Sequence, residues 1–134
     1  MSAVRLVRSE GLAAAPYAYA SRVDAGTELI FLAGACPLAD DGSTVAVGDV
    51  AGQARRCVET MLVALDAAGA TLADVASTRV LVASSDRRDL VAAWDVVRAA
   101  FGDHDVPSTL IGVAALGYPD QLVEIEAVAA VHRG

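Results

Sequence analysis

The chain is 134 residues long, 55% hydrophobic and 20% charged, a balance that suits one domain with a real core and excludes a disordered chain. Seventeen acidic residues against ten basic ones give a net charge of −7, and all ten cations are arginine; this argues against a nucleic-acid partner, which needs clustered cations. With no lysine and no asparagine, Schiff-base chemistry, pyridoxal phosphate attachment, a P-loop lysine and N-glycosylation are all excluded.

Residues 3–8 and 17–23 carry short alternating patterns compatible with strands, with a loop over Leu12–Pro16 between them. Glu28–Gly34 is the first strong strand and ends on a glycine where another group can approach the backbone. Ala39–Gly48 reads as a loop turning at Asp41-Gly42. From Asp49 the period becomes helical: Val50, Ala54, Cys57, Val58, Met61, Leu62 and Leu65 fall on one face, and Gly69 stops the helix. Thr71 and Asp74 have capping-box spacing.

Val80–Ala83 is a second buried strand. Asp86 then caps a helix to about Phe101 whose inner stripe is Leu90, Val91, Trp94, Val97 and Phe101. Thr109–Leu116 and Leu122–Val131 are expected to pair around the turn Gly117-Tyr118-Pro119-Asp120. The plan is α+β, a single domain over residues 1–134 with one mostly antiparallel sheet and both helices on one face. Leu110, Ile111, Val113, Ala114, Ala115 and Leu116 are continuously apolar, which implies burial on both faces, so a second subunit is expected over the face the helices leave bare. Cys36 and Cys57 have no metal-ligand or redox spacing and read as free buried thiols. With no apolar leader or spanning run, a soluble cytoplasmic protein is expected, without metal, cofactor or membrane partner.

Five ordered pieces carry a resemblance across essentially the whole chain: Ala15-Pro16-Tyr17; Leu32-Ala33-Gly34-Ala35-Cys36-Pro37-Leu38; Asp49-Val50-Ala51-Gly52-Gln53-Ala54; the run from Ala67 to Val75; and Leu122-Val123-Glu124-Ile125-Glu126-Ala127. Together they resemble the RidA (YjgF) family of reactive-intermediate deaminases. The resemblance implies a chorismate-mutase-like fold, a homotrimer with small-molecule sites in the clefts between subunits, and hydrolysis of reactive 2-imino acids to 2-oxo acids and ammonia. It implies that Glu124 holds or activates the attacking water and that Tyr17 borders the ligand. Gly34 and the backbone around Ala33 would offer polar groups without a side chain.

The chain departs from the family pattern at several points. Ser108 stands where the family carries the arginine that grips the substrate carboxylate, a two-pronged contact that a hydroxyl cannot copy. Leu110 replaces a common cysteine, Trp94 an asparagine, and Gly34-Ala35-Cys36-Pro37 the usual Gly-Gln-x-Pro. Two functions stay open: an imine or enamine deaminase, or a non-deaminating relative that binds a small metabolite or hydrolyses a different substrate at the subunit interface.

Glu124 and Glu126, two apart on a strand, project from one face ~7 Å from each other, too far to share a proton directly; each reads as a site carboxylate or as a solvated edge group. Tyr17 suits a cleft wall or a half-buried core position. Arg79 interrupts an apolar strand opposite Val80 and Val82, and is expected to pair with Glu124 or Glu126, to contact the ligand in place of the missing arginine, or to face solvent. Ser108 and Thr109, with no histidine base beside them, read as hydrogen-bonding groups rather than nucleophiles. His104 and His132 are expected at the surface.

Overall fold

A computed structural model describes residues 2–133. In chain order the elements are β1 (Val4–Val7), β2 (Ala20–Val23), β3 (Thr27–Phe31), α1 (Val50–Ala67), a 3-10 turn (Leu72–Asp74), β4 (Val75–Val82), α2 (Arg87–Phe101), β5 (Ser108–Gly112) and β6 (Val123–His132). No helix among them is long and apolar enough to cross a membrane.

The α+β class holds, with two corrections to the strand plan. First, the strands form two sheets, not one: a β1–β2 ribbon and a four-stranded sheet in the order β3-β6-β4-β5. The ribbon joins β4 through a side chain rather than a ladder, since the Ser21 hydroxyl donates to the Ala76 carbonyl at 2.6 Å beside the irregularity between Val75 and Ser77. Second, β5 and β6 are not a hairpin. They flank β4 on opposite sides, β6 antiparallel and β5 parallel, with α2 as the crossover that a parallel pair requires. The apolar run is correspondingly shorter as a strand. Val113 donates one last backbone bond to Val82, and the chain then crosses to β6 as an irregular segment. β3 likewise stops at Phe31 rather than Gly34.

Both helices lie on one face of the larger sheet. Ala54, Cys57, Met61 and Leu65 of α1, with Ala93, Val97 and Phe101 of α2, share a core with Val80, Val82, Val123, Ile125, Ala127 and Ala129. Each helix begins as its sequence dictates, Asp49 accepting from the Gly52 amide and Asp86 from the Arg88 amide. Leu62 and Val91 are exposed rather than inward, because the buried stripes run through Gln53 and Ala93 instead. On the opposite face, Leu29 and Phe31 are 51% and 73% exposed, so part of that face is uncovered apolar surface in the single chain. Its far end is closed by the ribbon, where Val4 and Leu6 pack on Ala76 and Ala130.

His104 departs from its expected surface position. Its ring is half-buried, stacks on Phe101 at 6.2 Å and places Nε2 2.8 Å from the Val75 carbonyl. His132 is exposed and 3.7 Å from Asp24.

Candidate active site

Glu124 is placed by the edge it faces. Leu32 donates to the Ala127 carbonyl, and Ala35 and Ile125 then exchange both backbone bonds at 2.7 and 3.1 Å. Between those points two residues, Ala33 and Gly34, stand against one on β6, Glu126, a bulge that re-aims the backbone. Gly34 lies in that bulge directly against the Glu124 side chain; a Cβ there would stand only 2.6 Å from the carboxyl carbon Cδ. The glycine is a requirement of close approach, because any side chain would displace the carboxylate.

Two donors fix Glu124. Cys36 Sγ lies 3.3 Å and Gln121 Nε2 3.2 Å from Oε1. Gln121 is itself buried: its Nε2 also reaches the Val123 carbonyl at 3.1 Å and its Oε1 accepts from the Tyr118 amide. Gln53, fully buried on α1, holds the approach to β6 by donating to the Asp120 carbonyl at 2.9 Å and accepting from the Leu122 amide at 2.7 Å. Asp120 has φ of +61°, a left-handed conformation unusual for a residue with a side chain, and this buried amide is what secures it. Burial, and then the neighbouring Glu124, push the Cys36 thiol up to about 11, so its sulfur keeps the proton at neutral pH. A hollow of about 600 Å³ opens beside Gly34 and Cys36, bounded also by Leu38, Arg56, Thr60 and Tyr118.

The other expected site residues gather elsewhere. Tyr17, Trp94, Ser108, Thr109 and Leu110 line a separate hollow of about 430 Å³, and none of the five is charged. Tyr17 meets the Trp94 ring edge-on at 6.3 Å. Its backbone is held by Arg8, which donates to the Tyr17 carbonyl and pairs with Asp105, and by the Ala18 amide bonded to the Asp105 carbonyl. The Ser108 hydroxyl is 2.7 Å from that of buried Thr78. Arg79 lies in neither hollow. It sits across the ladder from Glu126, with their charged ends 3.7 Å apart and both side chains about half exposed.

The structure therefore brings Gly34 to Glu124, and Tyr17 to Ser108 and Thr109, but does not bring the two groups together within one chain. Sequence reasoning passed over Cys36 and Gln121 as partners of Glu124, and set Trp94 in the core stripe. The available signal was spacing: Cys36 is two residues beyond Gly34, on the same side of an extended segment, and Gln121 is three before Glu124. Among the described residues, no group of three or more metal-ligating side chains comes together.

The α+β domain carries a carboxylate cradled on a glycine and, apart from it, an aromatic hollow. The comparisons agree in family. The profile described as Endoribonuclease L-PSP matches residues 9–131. The 3-aminoacrylate deaminase RutC of Acinetobacter baylyi is 32% identical over 117 residues, covering 87% of this chain and 88% of that one. A RutC family protein of Pyrococcus abyssi is 32% identical over 114 residues, covering 85% of each. Among solved structures, the E. coli YjgF gene product is 31% identical with a TM-score of 0.66, covering 96% of this chain and 99% of that one. A Yersinia pestis Rid family protein, YyfB, reaches a TM-score of 0.89 at 27% identity over the same shares. The chain belongs to the RidA/YjgF family.

Proposed function

We propose that the protein is a small-molecule hydrolase that converts an imine or enamine to the carbonyl compound and ammonia, with Glu124 as the base. The observation that carries this reading is the half-buried Glu124 carboxylate seated against a side-chain-free Gly34, beside a hollow of about 600 Å³ that Gly34 and Cys36 line. In the reaction Glu124 takes a proton from water as the oxygen bonds to the imine carbon. That proton returns to nitrogen to give the neutral carbinolamine, whose hydroxyl proton then passes through the same carboxylate to nitrogen as the C–N bond breaks, releasing ammonia and leaving the C=O. The name of the Acinetobacter relative, an aminoacrylate deaminase, supports an enamine or imine as the substrate class.

Glu124 and the Tyr17 hollow leave the sheet from opposite faces, so we further propose that a complete site forms between copies, Glu124 and Gly34 from one and Tyr17, Trp94, Ser108 and Thr109 from its neighbour. A homotrimer closes such a heterologous contact and covers Leu29 and Phe31. The uncharged lining of the aromatic hollow favours substrates without a carboxylate. The same feature favours the second reading, a relative that binds a metabolite without deaminating it.

The test is imine loss in a coupled oxidase system, comparing 2-iminobutanoate from an amino-acid oxidase with a carboxylate-free imine from an amine oxidase. Faster loss of the carboxylate-free imine, abolished in Glu124→Gln, is expected. Binding of such compounds without turnover of either imine would select the second reading.

A further inference from the structure

We propose that Cys36 and Gln121 are positioning residues for Glu124: they hold Oε1 and so present Oε2, above Gly34, as the oxygen that takes the proton from water. This deepens the proposed hydrolase reading and rests on it for the identity of the water. Both donors converge on one oxygen, Cys36 Sγ at 3.3 Å and Gln121 Nε2 at 3.2 Å. Oε2 is the atom turned to the space where Gly34 lacks a Cβ. A carboxylate whose two oxygens are so divided is a one-sided base. Without the two donors its χ3 rotation would exchange them, as terminal carboxyl torsions are broad.

The thiol suits this task because it holds one proton to give. That proton has two acceptors in reach, the Gly34 carbonyl at 3.4 Å and Glu124 Oε1. The anionic oxygen is the closer and makes the stronger, charge-assisted bond. Its elevated pKa keeps sulfur from becoming a thiolate, which would repel the carboxylate it holds. Gln121 cannot turn away, since its amide oxygen is engaged by the Tyr118 amide and its nitrogen also by the Val123 carbonyl.

Two measurements test the clamp, one of them independent of activity. The S–H stretching band of Cys36, identified by its loss in Cys36→Ala, should lie at low frequency and rise in Glu124→Gln, because an anionic acceptor has been replaced by a neutral one. In turnover, Cys36→Ala should lower kcat about three- to tenfold with KM little changed, the worth of one hydrogen bond. Cys36→Ser, which keeps a donor, should restore most of it. An S–H band that Glu124→Gln leaves unmoved, or a serine variant as slow as the alanine one, would overturn the proposal. A wild-type protein inert toward every imine would remove the hydrolase reading and leave the clamp to be decided by the S–H band.

Discussion

Ser108 and Glu124 flank β4 on either side, yet their side chains leave the sheet from opposite faces. Ser108 lies across from Thr78 and bonds its hydroxyl, whereas Glu124 lies across from Leu81, between the core-facing Val123 and Ile125. If sites form between copies, two inactive variants should rescue each other. Glu124→Gln chains co-refolded with Tyr17→Ala chains should recover about a quarter of the clefts, the share random mixing gives a closed ring with heterologous contacts. Activity no higher than the sum of the separate variants would place both halves of the site in a single copy.

The two carboxylates of β6 should differ in importance. Glu124→Gln is expected to reduce turnover by about 10²–10⁴, the usual contribution of a positioned base. Glu126→Gln breaks a half-exposed pair with Arg79, worth no more than ~1 kcal/mol after solvent screening, and should leave turnover within about twofold. Steady-state kinetics beside a melting curve of each variant separates the two cases.

Substitution at position 108 tests substrate charge. Ser108→Arg should raise hydrolysis of 2-imino acids about ten- to a hundredfold by supplying a charge-assisted anchor. It should also cost about 1 kcal/mol of stability, because Thr78, 3% exposed, loses its hydroxyl partner. Arg79→Ala should change neither rate, since Arg79 lies outside the hollow that Ser108 lines. Parallel assays on charged and uncharged imines, with urea unfolding of the same proteins, give both readouts.

Much of the fold was legible because it depends on local signals. Asp49 and Asp86 start their helices, Gly69 ends the first, with φ of +83°, and Thr71 with Asp74 closes a short turn. The pairing of β5 was not legible, because alternation and apolarity say that a strand is buried without saying which neighbour buries it. Tyr118-Pro119-Asp120 does turn, but into a crossover secured by Gln53 from α1, a long-range contact that no local pattern encodes. Glu124 and Gly34 could each be singled out as candidates from the sequence, and the structure sets them against each other. The site was not legible where two residues 88 apart in sequence share one hydrogen bond, as Cys36 and Glu124 do.

Removing that long-range contact should be expensive. Gln53→Leu leaves the Asp120 carbonyl and the Leu122 amide without their partner and releases the left-handed Asp120. A loss of about 2–4 kcal/mol is expected from the buried groups left unpaired. Melting curves should show a large fall in Tm, and turnover should drop with it, since the same turn leads into Glu124.

Alkaline pH should weaken the fold through its thiols. Cys36 rises from an ordinary 9.0 to about 11, and burial pushes Cys57 further in the same direction. Above pH 9 the unfolded chain releases these protons while the folded chain keeps them, so stability falls as pH rises from about 9 through 11. Denaturation series across that range should show the decline, and a Cys36→Ala, Cys57→Ala double variant should flatten it. Equal slopes in the two proteins would assign the decline to other groups.

The order of strands carries a consequence for how the molecule is made. β6 is an inner strand of the sheet, yet among the described strands it comes last in the chain. Until it emerges, β3 has no strand neighbour among the described residues, where its one ladder joins Thr27 to His132 and Phe31 to Val128. β4, α2 and β5 can associate earlier as a local unit, because their pairing spans about thirty residues. The nascent chain therefore waits with Leu29 and Phe31 uncovered and no sheet to hold them, and insertion of β6 between two waiting edges completes the core in one late step.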